Sequence, residues 1–443
     1  MVRNHVGVEE LGIPGVSIVQ QGFVADARAT GEAFSLPNPP VAITPHVFTS
    51  LNASQTRQAV DAMIEDIIKG LTVPLPEPKE SVVERITTRG PKDDNLEFRG
   101  GDYRECFDRM NDAFLDWGWS DGFPIIPPTE EAVREMLKGT QRSPEDTVVE
   151  KFVPGMARAT VKNIAINAVM AGCKPEFFPV VIAAIEAMHD PAIALRVVTM
   201  STGPHAPLFI VNGPIAGKLR INSGLCSLGP AGPERLSFPN VVIGRAVRLT
   251  LMNVGNAYPG IMDQDTIGTP AKFSMVLAEN EKANPWEPYH VEKGSRPEDS
   301  TVSCSYGHSL IEMCDLESET AAGLMNTFAR HLIGIAGISL TYYHPTLLIS
   351  PDHATILARD GWTKDDVRQY LHLHCRISAE EYRRSACTCH PVPRKWLEAA
   401  DSKAMVHLYE KPEDLQIVVV GGMAGKSAAY SGLYPANPHI IRS

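Results

Sequence analysis

A chain of 443 residues is too long for one ordinary hydrophobic core and suits two domains or one large elaborated one. Its 44% hydrophobic and 21% charged residues are those of a globular protein. A net charge of −11, with acids and bases interspersed, excludes the basic face that a nucleic-acid or anionic-membrane partner needs.

No apolar run reaches the roughly 18 residues of a membrane span, and the opening MVRNHVGVEELG has no basic-then-apolar leader. The expected compartment is therefore the cytoplasm, and the eight cysteines are expected as reduced thiols open to metal or redox work. In chain order, Val16–Val19 reads as a short strand after the turn Gly12–Gly15, and Gly22 through Phe34 as a helix. Residues 55–70 set Ala59, Val60, Met63, Ile64, Ile67 and Ile68 on one helical stripe closed by Gly70. One strand and two helices cannot close an α/β domain, so residues 1–72 read as the last part of one, a partial Rossmann-like unit. The Pro-rich, charged stretch 73–101 reads as a linker.

A larger α/β domain is expected over 102–443. Tyr103–Trp117 is an amphipathic helix, and Thr129 is a natural N-cap for Glu130–Lys138, with Glu130 and Glu131 at its positive end. Residues 161–188 read as two helices split by Lys174-Pro175, and 279–300 as a second charged, Pro-containing loop. HAPLFIVNGPIAGKL (205–219) and HPTLLISPDHATIL (344–357) echo one another: His, Pro, an apolar strand, a small-residue turn, a helix start. Each follows a β-prone run, VVTMST and ISLTYY. LQIVVV (415–420) ends in Gly421–Ser427. Were these strands neighbours, Asn212-Gly213, Ser350-Pro351-Asp352 and Gly421–Ser427 would share one rim, where α/β sheets gather ligands. The fold class is thus α/β, with a weak internal duplication.

The segment GIPGVSIVQQGF…PNPPVAITPHVFTSLNASQTRQAVDAMIEDIIKGLT resembles the second half of the UGSC-like (seleno)protein domain, itself similar to the catalytic subunit of glycine/betaine reductases. Gly12-Ile13-Pro14, Phe23, Pro45-His46 and the helix ending at Leu71-Thr72 carry the resemblance. IGRAVRLTLMNVGNAYPG, ENEKANPWEPYHVEKG, DGWTKDDVRQYL and VVVGGMAGKSA resemble the extension of longer members. The resemblance implies a selenolate or thiolate at a strand-to-helix turn as attacking group, with a second cysteine resolving the adduct. That redox motif, selenocysteine or cysteine followed by Gly-Ser-Cys, occurs nowhere here. Three explanations are open: a start at an internal Met, a separate subunit carrying the motif, or a diverged form using other chemistry. A homo- or hetero-oligomer is expected.

Within the chain, Cys387-x-Cys389 and His390, near His372, His374 and Cys375, could hold a zinc or copper ion, be ordinary thiols, or form a C-x-C redox couple in place of the missing pair. The turn Gly421, Gly422, Gly425, Lys426, Ser427 misses a phosphate loop by one position, yet its N–H groups and lysine could hold an anion. His205 and His344 could act as acid or base, or activate Cys226 or Cys304. The plainer reading is that each histidine braces a loop. Asn212 and Gly213 would face the same substrate. Arg245 and Arg248, at i, i+3 spacing, could together grip a carboxylate or form an ion-paired face. Asp263 and Asp265 could be a metal pair, or brace a loop. The functions these residues allow are a thiol- or selenol-type redox subunit acting on a small anionic substrate at a C–X bond, a non-catalytic partner shaping such a site, or a lyase or hydratase using His205, His344 and a metal.

Overall fold

The computed structural model describes residues 5, 8, 9, 11–33, 36, 38–45, 51–74, 90, 91, 95–336, 344–381, 403–423 and 425–442. The N-terminal unit contains β1 (Ser17–Gln20), α1 (Val24–Ala33), β2 (Val41–Thr44) and α2 (Ala53–Thr72). β1 and β2 pair in parallel. Val19 and Val41 pack on the Ala27 side of α1, while Ile18 and Ala42 pack on Ala59, Met63 and Ile67 of α2. Alternate strand residues thus meet a helix on each face, which is the rule for parallel strands. The strand Val41–Thr44 was not foreseen: four residues between Pro40 and Pro45 are too few for a period to emerge. α2 begins two residues earlier than the apolar stripe, because Asn52 and Gln55 form a reciprocal capping box.

The body contains α3 (Tyr103–Asp116), α4 (Glu130–Leu137), the hairpin β3 (Thr147–Phe152) and β4 (Ala157–Thr160), α5 (Val161–Met170) and α6 (Phe178–Met188). Thr129 caps α4 by accepting from the Ala132 N–H. α6 is apolar on every side and buried at ten of its eleven residues, so it runs through the core. There follow α7 (Leu195–Thr199), β5 (Ala206–Asn212), α8 (Pro214–Lys218), α9 (Phe238–Asn253), β6 (Val276–Ala278), α10 (Tyr289–Glu292) and β7 (Thr301–Cys314). The run VVTMST, expected as strand, enters α7 instead. Next come α11 (Ala321–Ala336), β8 (Thr346–Ile349), α12 (Pro351–Arg359), α13 (Lys364–His374), the pair β9 (Arg376–Ser378) and β10 (Met405–His407), β11 (Gln416–Val419), β12 (Lys426–Gly432) and β13 (Pro438–Ile440).

The main sheet runs β11-β8-β12-β7-β5-β6, with β13 on the free flank of β7. β5 and β6 are parallel, as are β8 and β11. β7 is antiparallel to β5, β12 to β8, and β7 and β12 pair antiparallel at the centre. The order β6-β5-β7 therefore mirrors β11-β8-β12, as an approximate two-fold would produce. The echo between residues 205–219 and 344–357 is this duplication: β5–α8 and β8–α12 fill matching places, and each helix opens on proline.

Side-chain alternation builds three core layers from one sheet. Phe209, Val211, Val276, Val302 and Tyr306 pack outward on α5, α6 and α9. Leu347, Ile349, Ile417, Val419 and Ala429 pack outward on α11, α12 and α13. The opposite faces, with Leu208, Ile210, Leu277, Leu348, Val418 and Tyr430, share an inner core. The sheet bends where Gly307 of β7 meets Gly432 of β12. A Cβ at either would lie 2.2 Å from a backbone oxygen, of Ser431 or of His344. The ladder stays open, but the curl brings its two edges together: Asn280 N–H donates to the Val419 carbonyl (2.8 Å) and Gly421 N–H to Ser223 (2.8 Å).

Candidate functional site: a charged cleft beside the Asn212-Gly213 turn

β5 ends at Asn212, which is fully buried. Gly213 follows with φ +82°, and a Cβ there would lie 2.1 Å from the Asp299 carbonyl oxygen, so this turn accepts only glycine. Two carboxyls from the segment after β6 meet the turn. Glu279 accepts from the Asn212 amide, the Tyr289 N–H (2.7 Å) and the Asn284 amide (2.8 Å). Burial raises its pKa, against the opposing pull of Lys364. Glu281 Oε1 accepts from the Gly213 N–H (2.7 Å) and from the Asn212 amide (3.0 Å).

Glu281 also lines a cleft of about 450 Å³, within the size range of small-molecule sites. Its other wall is formed by residues 220–223 and 233–237, with Arg220, Asn222, Ser223, Glu234, Arg235 and Ser237; Lys282 lines it too. Arg220, Cys226, Glu234, Arg235 and Ser237 all have φ between 54° and 62°. They are five of the eight non-glycine residues in that region among the described residues. Such backbone costs of order 1–3 kcal/mol per residue and persists only where neighbours enforce it. Here Asn240 does so: its amide donates to the carbonyls of Asn222, Ser227 and Val276, and its oxygen accepts the Asn222 N–H. Ser237 Oγ accepts from the Asn222 amide and donates to the Cys226 carbonyl (2.7 Å). Cys226, in the loop between these lining stretches, is exposed. Among the described residues Arg220, Arg235 and Lys282 form no ion pair; Arg220 reaches only the Glu234 carbonyl (3.4 Å).

A second polar cluster lies at the opposite end of β5. Lys272 sits 2.8 Å from both Asp263 and Asp265, and Arg248 lies 3.4 Å from Asp263, all nearly buried. His205, Arg248, Asp263, Lys272 and Tyr306 line a small recess of about 20 Å³, room for about one water. His205 Nδ1 donates to the Gly203 carbonyl (3.1 Å), leaving Nε2 as the basic nitrogen. Burial, then the neighbouring His308, lowers the His205 pKa to about 4, so it stands neutral.

The expected site residues separate. Arg245 does not join Arg248: it makes a two-point ion pair with Asp121 (2.9 and 2.8 Å), and its remaining contacts go to the Phe123 and Pro124 carbonyls. Cys304 points into the outer core, where burial raises its pKa well above the usual range, so it offers no thiolate. His344 lies 3.6 Å from Asp414, its pKa lowered by burial.

The single rim does not form. β5 runs opposite to β8 and β11, so Asn212-Gly213 is at one end and Ser350–Asp352 at the other. Gly425 and Ser427 do meet the latter: Gly425 N–H donates to Asp352, and Ser427 Oγ accepts the Ser350 N–H (3.0 Å) and pairs with His353 Nδ1 (2.7 Å). Lys426 is paired with Glu312 at 2.7 Å. The anion-holding groups of this turn are thus spent within the protein. Gly421 and Gly422 instead touch the cleft wall, at Ser223 and Leu225.

Cys387, Cys389 and His390 lie outside the described residues. Their expected neighbours are committed elsewhere: His372 stacks on His407, His374 on Tyr370, and Cys375 is buried with its pKa pushed up to about 12. No metal-binding group of three or more His, Cys, Asp or Glu occurs among the described residues. Sequence reasoning missed Glu279, Glu281, Arg220, Arg235 and Lys282. The available signal was the run AENEK directly after the apolar VLA, together with the two arginines flanking a Gly/Ser/Pro-rich loop.

Fold and cleft together define an α/β protein with a ligand-sized recess at strand ends. Residues 1–73 match the model of the UGSC family, so the N-terminal unit is UGSC-like. No curated protein matches the chain, and no solved structure does. Among the described residues no helix is long and apolar enough to cross a membrane.

Proposed function

We propose that this chain is a subunit of a thiol- or selenol-type redox enzyme acting at a C–X bond of a small anionic substrate, which the cleft beside Asn212-Gly213 receives. The observation that carries the reading is the trio Arg220, Arg235 and Lys282 around the cleft, without ion-pair partners among the described residues. Guanidinium groups without a carboxylate partner in a recess favour carboxylate or phosphate ligands. Cys226, exposed in the loop between the two stretches that form the cleft wall, is the thiol this reading employs. Its thiolate attacks the carbon, and X leaves with the bonding pair. A second thiolate or selenolate then attacks the sulfur, closing a disulfide or selenylsulfide, and the released carbon takes a proton.

On this reading the second thiol or selenol is supplied by a motif-bearing partner. The exposed apolar side chains Leu11, Ile13, Ile43, Ile64, Ile68 and Leu71 of the N-terminal unit favour such a partner. The same observation supports the alternative that this chain shapes the site and leaves all the chemistry to the other subunit.

The test is alkylation of the native protein by iodoacetamide, followed by peptide mapping, with and without saturating oxalate. Cys226 should react and be protected by oxalate, while Cys304 and Cys375 stay unmodified. Oxalate affinity should fall by about tenfold or more in Arg220→Ala/Lys282→Ala. An unchanged alkylation rate would remove the thiol from the cleft, and no oxalate binding at all would remove the substrate site.

A further inference from the structure

We propose that Glu281 is a built-in carboxylate plug: it occupies the donors meant for the substrate's carboxylate, and swings onto His290 when substrate enters. This rests on the cleft being the substrate site. The donors are the Gly213 N–H and the second N–H of the Asn212 amide, both aimed at Glu281 Oε1 at 2.7 and 3.0 Å. Asn212 is fixed by its other bond, to Glu279, and is wholly buried. The pair is thus a preformed two-donor receptor for a carboxylate oxygen, and a side chain of the protein fills it. Glu281 is the movable member. Its side chain is 29% exposed and belongs to the cleft lining, whereas Asn212 and Gly213 are held by β5 and by the contact with Asp299.

His290 supplies the place to go. It is 1% exposed, and neither ring nitrogen has a hydrogen-bond partner. A buried polar group left unpaired costs about 1–3 kcal/mol, and such groups in native proteins call for an explanation. Nδ1 stands 3.7 Å from Glu281 Oε1, just beyond bonding range. A small rotation of the carboxylate away from Gly213 brings it onto the His290 Nδ1–H, giving that nitrogen a partner as the receptor is uncovered. The Gly213 N–H and Asn212 amide then take one end of the ligand, and the cleft cations the other. The ligand class is a small mono- or dicarboxylate, because the group it replaces is itself a carboxylate.

Calorimetric titration of the full-length protein with oxalate tests the device. Glu281→Ala should bind about tenfold tighter than wild type, since the receptor no longer has to be vacated. Glu234→Ala removes a carboxylate from the same cleft that touches neither donor, so its effect measures the loss of negative charge alone and should stay well below that of Glu281→Ala. His290→Phe removes the receiver. It should weaken binding about tenfold in the wild-type background and have no effect in the Glu281→Ala background. Equal affinities in wild type and Glu281→Ala, or an equal gain in Glu234→Ala, overturn the plug. If His290→Phe does not fold, the comparison of the two glutamate variants decides alone. Failure of every variant and of wild type to bind oxalate would instead overturn the cleft as substrate site.

Discussion

Arg245 and His205 show how one side chain's surroundings decide its work. Arg245 is 15% exposed and its partner Asp121 2%, so the pair is effectively buried. Removing one member of such a pair strands the other charge, at a cost of about 3–5 kcal/mol. Arg245→Ala should therefore lower the unfolding free energy by about 3 kcal/mol in urea titration, without touching oxalate binding. His205 gives a pH signature. Its folded-state pKa of about 4 lies below the unfolded value, so the unfolded chain takes the proton first. The stability this neutral histidine permits is complete above roughly pH 6.5. It is lost as the pH falls towards the folded value of about 4. His205→Gln should flatten that acid limb by roughly 1–2 kcal/mol between pH 7 and 4, read from urea midpoints on either side of it. A slope identical to wild type would mean that the imidazole titrates as freely folded as unfolded.

Among the elements, helices with side-chain caps were the most legible. Thr129 marked α4, and the stripe Ala59–Ile68 marked α2, because a cap and a 3.6-residue period are local properties. Strands were legible as apolar runs but not as partners. HAPLFIVN and HPTLLIS read as matching units, and they are; that they run in opposite directions is set by β7 and β12 lying between them. The central bend is an element-scale constraint that no periodicity announces. Gly432 of β12 leaves 2.2 Å between an added Cβ and the His344 carbonyl oxygen. Gly432→Ala must push β8 and β12 apart, and should cost about 2 kcal/mol or more by thermal unfolding. Gly217, with nothing within 4 Å, should accept alanine with little change.

The whole body is unified by the inner core, where the two halves of the duplication meet. Leu277 of one half and Leu348 of the other belong to the same buried cluster. Leu277→Ala should therefore cost about 2–5 kcal/mol and destabilise both halves in one transition. Trp117 and Trp119 report on the first outer core and Trp286 and Trp362 on the second. Single-tryptophan variants from each side should melt at one shared temperature, and two separated transitions would show the halves to be independent.

By itself the sequence determined the α/β class, the helix capped by Thr129 and the duplication, since these follow from composition, period and short-range pattern, while the UGSC-like character of the first seventy residues was legible as a family resemblance. Only the tertiary structure decided which carboxylates face Asn212-Gly213, which arginine is free and which is paired, and that the Gly425–Ser427 turn is satisfied from within. Those outcomes depend on burial and on partners more than sixty residues away, such as Glu281 for Gly213 and Asp121 for Arg245. A spacing rule sees only neighbours along the chain, whereas charge pairing and desolvation are settled by neighbours in space.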